Sequence, residues 1–108
     1  MPIRNKLRPF TDGEARVASS EPGAYELVYK DTVVYIGSSS TSIRSRIVSH
    51  RKRKDFMKVT GFRCQKVEWG EDAETLEAKL GMSFRRKNGG KLPRLQKRIP
   101  KYRDWYDL

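Results

Sequence analysis

Apolar side chains along the chain fall into short runs whose spacing alternates between a period of two and one near four. Residues 24–30 and 32–36 are rich in Tyr and Val, and Lys30-Asp31 between them predicts a β-hairpin. The stretch Gly37-Ser38-Ser39-Ser40-Thr41-Ser42 is turn material ending in good helix N-caps. Ile43 and Ile47 then open a helical stripe that runs to about Lys54. Gly61 precedes a third predicted strand over 62–69. In it Phe62, Cys64, Lys66 and Glu68 share one face, and Arg63, Gln65, Val67 and Trp69 the other. Glu71 and Asp72 suit the first turn of a second helix, where negative charge meets the helix dipole. Leu76, Leu80 and Phe84 give that helix an apolar stripe, and Asn88-Gly89-Gly90 ends it.

Outside this span the pattern is sparser. Pro2, Pro9 and Pro22 are breakers, and Thr11 or Asp12 caps a short helix through Val17 and Ala18. After Pro93 the chain is basic, with Leu92, Leu95 and Ile99 as anchors and an aromatic close at Tyr102, Trp105 and Tyr106. Trp105 and Tyr106 suit docking of the C-terminus, a dimer contact or stacking on bases. No internal repeat or low-complexity tract is present. The order helix, strand, strand, helix, strand, helix, tail predicts an α+β fold: a small three-stranded, mainly antiparallel sheet flanked by helices. At 108 residues a single domain over 1–108 is expected, with a core at about 20–98, an N-terminal extension 1–19 and a basic, aromatic tail 99–108.

Charge changes the picture from fold to partner. Lys and Arg number 24 against 13 Asp and Glu, leaving +11. Residues 42–58 hold seven basic groups and one acid, and residues 79–103 hold ten basic groups and no acid, so everything else is net −5. Two basic blocks on an acidic scaffold suit a surface that tracks phosphates, with Arg44, Arg51, Arg53, Arg85, Arg86, Lys91 and Arg94 as candidate contacts. The plainer readings are a solvated face or an anionic membrane surface, and alternation of the cations with apolar anchors favours nucleic acid. No apolar run approaches the ~20 residues of a membrane span, and no charged-then-apolar leader is expected. The expected setting is intracellular, cytoplasmic or nucleoid-associated, with no membrane partner. The single Cys64, best read as a small core residue, excludes an intramolecular disulfide and a cysteine-rich zinc site.

The specific signal is Gly23-Ala24-Tyr25 followed, after nine residues, by Tyr35-Ile36-Gly37. This resembles the GIY-YIG endonuclease superfamily, whose two signature tripeptides lie on adjacent strands at about this separation. Arg46 and His50 match the R-x-x-x-H arrangement on the helix that follows, and residues 73–80 look like the later helix whose glutamate binds metal, here Glu77. The likeness covers roughly residues 20–80. Ala24 departs from the usual bulkier residue. The family's Pro-x-x-Asn position is filled by Gln96 of Pro93-Arg94-Leu95-Gln96, by Asn88, or by neither.

The resemblance implies a metal-dependent endonuclease that hydrolyses DNA phosphodiester bonds, using Tyr25, Tyr35, Arg46, His50 and Glu77 with one Mg²⁺ or Mn²⁺ ion. It implies Tyr25 as general base with His50 assisting, and Tyr35 hydrogen-bonded to the scissile phosphate. The residue chemistry agrees. A single carboxylate suffices for Mg²⁺, which keeps several waters. Arg46 is a fixed charged fork for a phosphate, presented on the same helical face as His50. Gly37 lets a backbone approach phosphate closely. Tyr25 needs cationic charge nearby to work as a base near neutrality, whereas His50 titrates there unaided, and the residues alone leave the two as rivals. Arg46 is preferred to Arg44 for its offset from His50.

Each residue also has a plainer reading. The tyrosines are good strand formers, His50 is an incidental helix residue, and Glu77 forms a buried ion pair with Arg46. Glu74 is expected to be exposed and dispensable. The hairpin offers a geometric check. A plain two-residue loop puts Tyr25 and Tyr35 on opposite faces, whereas a longer loop or a bulge pairs Leu27 with Tyr35 and brings both phenols to one side, as a shared site requires. The expected substrate is double-stranded or branched DNA, cut or nicked with weak sequence specificity or by shape. A homodimer or a partner protein would supply further specificity. The alternatives are an inactive nucleic-acid-binding module of the same fold and a small basic RNA-binding protein.

Overall fold

The computed structural model describes residue 3 and residues 5–96. It is an α+β fold in which the described residues form a four-stranded antiparallel sheet with three α-helices. In chain order these are β1 (Arg8–Pro9), α1 (Asp12–Arg16), β2 (Gly23–Tyr29), β3 (Thr32–Ser39), α2 (Ile43–Arg51), β4 (Gly61–Lys66) and α3 (Ala73–Lys87). The sheet order is β1-β4-β2-β3. The three-stranded sheet expected from the sequence is thus one strand short. The two-residue β1, which contains Pro9, carries no period-two signal, and only its pairing with Phe62 and Gly61 makes it a strand.

Helices cover both faces of the sheet. Tyr25, Leu27 and Phe62 pack with Ala15, Ile43, Ile47 and Phe56 on one side, and Ala24 and Ile36 pack with Leu76 and Leu80 on the other. Residues 23–28 are therefore buried without a break, because a central strand covered on both faces has no solvent side. Phe10, Ala15 and Ala18, from the segment expected as an extension, belong to the first of these cores.

The helix ends follow ordinary capping chemistry. Thr11, Ser42 and Asp72 cap α1, α2 and α3 by accepting from Glu14 N, Ser45 N and Thr75 N. Two predicted boundaries shift. The helix expected to reach Lys54 ends at Arg51, and a 3₁₀ turn over Lys54–Phe56 follows, driving Phe56 into the core at 3% exposure. The third strand stops at Lys66 rather than Trp69. Gly70 at φ +85° turns the chain there, and Trp69 stands fully in solvent.

The hairpin resolves the question of parity. Tyr29 pairs with Thr32, so the loop is the two residues Lys30 and Asp31, with Lys30 in the left-handed region at φ 55°. Alone, that loop would set Tyr25 opposite Ile36. A β-bulge intervenes: Val28 pairs with Val33 but Leu27 pairs with Tyr35, so Val34 is the extra residue and Tyr25 faces Gly37. Both phenols consequently lie on the α2 face, their rings 6.3 Å apart and inclined by 23°.

The outer edge of β3 is not bare. Leu95 N donates to Val34 O (2.8 Å), and Ile36 N donates to Gln96 Oε1 (3.0 Å), so the segment after Pro93 closes the edge beside the bulge.

Two glycines are fixed by close approach. A Cβ on Gly37 would run into the Tyr25 phenol, and one on Gly23 would meet the Gln65 carbonyl and the Ile43 side chain. Gly23→Ala is therefore expected to lower unfolding free energy by roughly 1–3 kcal/mol through overpacking. Gly13→Ala, in α1 with nothing within 4 Å, should be neutral or mildly stabilising. Denaturant titration of the two variants beside the parent checks the contrast.

Candidate active site

The bulge, α2 and the 3₁₀ turn bring four side chains together. Tyr25 is wholly buried, and its Oη lies 2.6 Å from His50 Nε2. Tyr35 packs edge-on to His50 at 5.0 Å, and Phe56 closes the cluster against His50 (4.5 Å) and Tyr35 (5.2 Å). Ile43, Ile47 and His50 form the buried stripe of α2. Arg46, one turn before His50, lies on the exposed side and turns its guanidinium onto the Tyr25 oxygen.

Glu77 comes from the opposite face. It is 4% exposed on α3, where Ser38 Oγ donates to its Oε1 at 2.5 Å. Its carboxylate still acts electrostatically on both Tyr25 and Arg46.

Burial sets the protonation states. It raises the Tyr25 phenol above its ordinary range, reinforced by Tyr35 and then Glu77, while Arg46 pulls the other way. Burial also draws His50 down to about 4, with Arg46 and Arg53 adding to the effect and Asp55 opposing it. At neutral pH the pair is a protonated phenol beside a neutral imidazole. Tyr25 Oη and His50 Nε2 share one hydrogen bond, whose direction follows the tautomer of the ring. His50 Nδ1 is buried and has no hydrogen-bond partner among the described residues.

Among the described residues no three His, Cys, Asp or Glu side chains gather as a metal cage. A buried carboxylate with a hydroxyl on it and a guanidinium and phenol nearby nonetheless fits Mg²⁺, which takes few protein ligands and keeps its waters. Glu77 is the side chain that would hold it. Arg44 is excluded from the cluster: its Nε donates to Ala18 O (3.0 Å) and its amide to Ser19 O (2.8 Å), which ties it to the loop after α1. Of the two candidates for the open polar position, Gln96 accepts from the Ile36 amide, while Asn88 caps α3 through Phe84 O. Glu74 is exposed.

The basic candidates are dispersed and largely tethered. Arg51 bonds Asp12 (3.0 Å) and lies over Phe10, Arg53 bonds Asp55 (2.9 Å) over Phe56, Arg85 bonds Gly90 O, and Arg94 lies over Tyr29. Arg86 and Lys91 are exposed. The space beside Gly37 is taken by Tyr25 rather than left for a phosphate. Lys97 to Arg103 and the aromatic close at Tyr102, Trp105 and Tyr106 lie outside the described residues.

Sequence reasoning missed Ser38 and Phe56. Ser38 was legible by parity, since a residue next to Gly37 must point to the α3 face. Phe56 lies beyond a helix end that no pattern marks. No helix of the described residues is long and apolar enough to cross a membrane. No protein-family model matches this chain, and no curated protein sequence does.

The His50 shift carries a pH signature. As pH falls below the ordinary 6.5, the unfolded chain takes up a proton at this position that the folded protein refuses until about 4. Stability contributed by neutral His50 is thus present above pH 6.5 and lost as pH drops toward 4. Between pH 7 and 4.5, the parent should lose roughly 2 kcal/mol more than His50→Gln. Denaturant midpoints at the two pH values measure the difference.

Proposed function

We propose that this protein is a metal-dependent endonuclease of the GIY-YIG type, hydrolysing phosphodiester bonds of double-stranded or branched DNA. One observation carries the reading. Two tyrosines, an arginine and a histidine from the hairpin and α2 converge, and a glutamate about fifty residues downstream is buried against Ser38, the neighbour of the Gly37 that faces Tyr25. The sequence resemblance names the same five residues.

Each has a chemical task in that reading. Phosphodiester hydrolysis needs an activated water, charge neutralisation on the phosphoryl oxygens and a stabilised leaving oxygen. Tyr25 and His50 form one proton-handling unit. A proton accepted at the phenol oxygen has a neutral Nε2 2.6 Å away to receive the phenol's own. Arg46, exposed and in contact with Tyr25, is the member that can turn to a phosphate without unpacking the core. Tyr35 and the tethered cations hold the backbone in register, which positions rather than specifies. A bound divalent cation supplies Lewis-acid stabilisation at Glu77.

A second reading, a nucleic-acid-binding module without cleavage, is favoured by one feature. Tyr25 is wholly buried, and its phenol is pushed away from the range of a base. The two separate in one experiment, in which pure protein is incubated with plasmid, branched DNA and RNA, with and without Mg²⁺. The enzyme reading expects Mg²⁺-dependent strand cleavage that Glu77→Ala reduces by about 100-fold or more while DNA binding persists. Salt-sensitive binding with no cleavage under any metal refutes it and leaves the module. Preference for single-stranded RNA without cleavage refutes both.

A further inference from the structure

We propose that Met57 is a wedge that enters the base stack of DNA beside the candidate site, so that the protein prefers duplexes whose stacking is already interrupted, as at a gap or a branch. The inference rests on the DNA-binding part of the reading above.

Met57 is anomalous for its size and place. It is 78% exposed at the end of the 3₁₀ turn that follows α2, although its neighbour Phe56 and Val59 two positions on are buried. Turn geometry causes the contrast. Met57 N donates to Lys54 O (3.2 Å), and a 3₁₀ turn rotates successive side chains by about a third of a circle, so Met57 points away once Phe56 turns inward. The turn is held at both ends. Phe56 packs against His50 and Tyr35, and Thr60 N donates to Val28 O (2.8 Å) on the central strand. Met57 is thereby offered on a fixed backbone, one residue from the ring that closes the site cluster, and that backbone loses little further freedom on binding.

Charge says what covers it. Residues 51–58 hold five cations, Arg51, Lys52, Arg53, Lys54 and Lys58, against one acid, Asp55. The two arginines are tied to Asp12 and Asp55, but Lys52, Lys54 and Lys58 are exposed and form no ion pair with another described residue. An apolar tip among free ammonium groups matches the layering of DNA, in which the lysines meet phosphates and the thioether meets the apolar interior of the stack. Trp69, the other large side chain in full solvent, supplies the contrast. Residues 68–74 around it carry four acids, Glu68, Glu71, Asp72 and Glu74, and no cation, a surround that repels phosphates. An acidic protein surface would answer the same lysines around Met57, and the experiment below separates it from DNA.

Insertion has a cost, and the cost fixes the preferred substrate. Parting two stacked base pairs consumes binding free energy, and the expense falls away where a gap, a mismatch or a branch has already parted them. A protein with such a wedge binds interrupted duplexes more tightly than continuous ones without touching a base edge. Met57 on this account sets specificity for shape and takes no part in the chemistry.

The test needs no cleavage. The full chain and its Met57→Ala, Met57→Leu and double Lys54→Gln, Lys58→Gln variants are titrated in EDTA with two duplexes of one sequence, one continuous and one with a single-nucleotide gap. The gapped duplex carries 2-aminopurine beside the gap, a base whose emission rises when its stack is opened. The parent should bind the gapped duplex about 10-fold more tightly than the continuous one and brighten the reporter. Met57→Ala should bring the two affinities within about 2-fold of each other and remove the rise, whereas Met57→Leu, an apolar wedge of like size, keeps both signals. The double lysine variant should weaken both duplexes by a like factor and keep their ratio, because phosphate contacts position without reading shape. Equal affinities in the parent overturn the proposal. So does a Met57→Ala variant that binds both duplexes as the parent does, which would make Met57 a contact for protein. Absence of any DNA binding would sink this proposal and the nuclease reading together, whereas the expected ratios without strand cleavage once Mg²⁺ is added would sink only the nuclease reading.

Discussion

A single inserted residue governs this structure. Val34, the bulged position of β3, shifts the hairpin register by one, so Leu27 meets Tyr35 and Tyr25 meets Gly37. Side chains alternate across a sheet, and a shift of one exchanges the faces of everything beyond it. Without the bulge, Tyr35 would face α3 while Tyr25 faced α2, and no arrangement of the helices could reunite the phenols. The bulge is kept in place from outside, since the Val34 carbonyl accepts from Leu95 and the Ile36 amide donates to Gln96. The chain after Pro93 therefore does more than protect an edge: it braces the irregularity on which the cluster depends.

From that register follows a division of labour between the two faces. The α2 face holds an aromatic group in which Tyr25, Tyr35, His50 and Phe56 pack ring against ring. Its low polarity keeps the imidazole neutral and the phenol protonated. The α3 face holds a carboxylate and a hydroxyl. Gly37 lies between the two on β3, and its missing side chain leaves room for the Tyr25 phenol. The phenol–imidazole pair and the Glu77 carboxylate are kept on opposite sides of the sheet. In the proposed nuclease this separates proton handling from charge neutralisation while leaving both at one phosphate.

The tethering of the cations has a further meaning. Arg51 and Arg53 each join a carboxylate and an aromatic ring. Such exposed pairs contribute little stability individually, yet they hold their guanidinium groups in fixed places. A charge held in position loses less conformational freedom on meeting a phosphate. The field of the two basic blocks thus comes from an ordered surface as well as from composition, at least for the arginines around α2.

Composition, period and spacing determined much of this protein without help. Ile43 and Ile47, Leu76 and Leu80, and the Tyr- and Val-rich hairpin each carry local periodicity, because helix and strand periods are properties of consecutive residues. The helix caps were likewise local, and five chemically apt residues stood in order along the chain. What lay beyond local pattern depended on partners distant in sequence. β1 is a strand only because β4 lies beside it, and the strand over 61–66 ends at Lys66, four residues before Gly70 turns the chain. Phe56 leaves the helical stripe because the core offers its ring a place between His50 and Tyr35. The choice of Arg46 over Arg44 rested on spacing until the loop after α1 was seen to hold Arg44. Ser38 gained its partner only when α3 was laid over β3. Tertiary packing decided these points, since a pKa, a bulge or a hydrogen bond across thirty-nine positions is set by what surrounds a group in space, and one chain's local preferences contain no record of that.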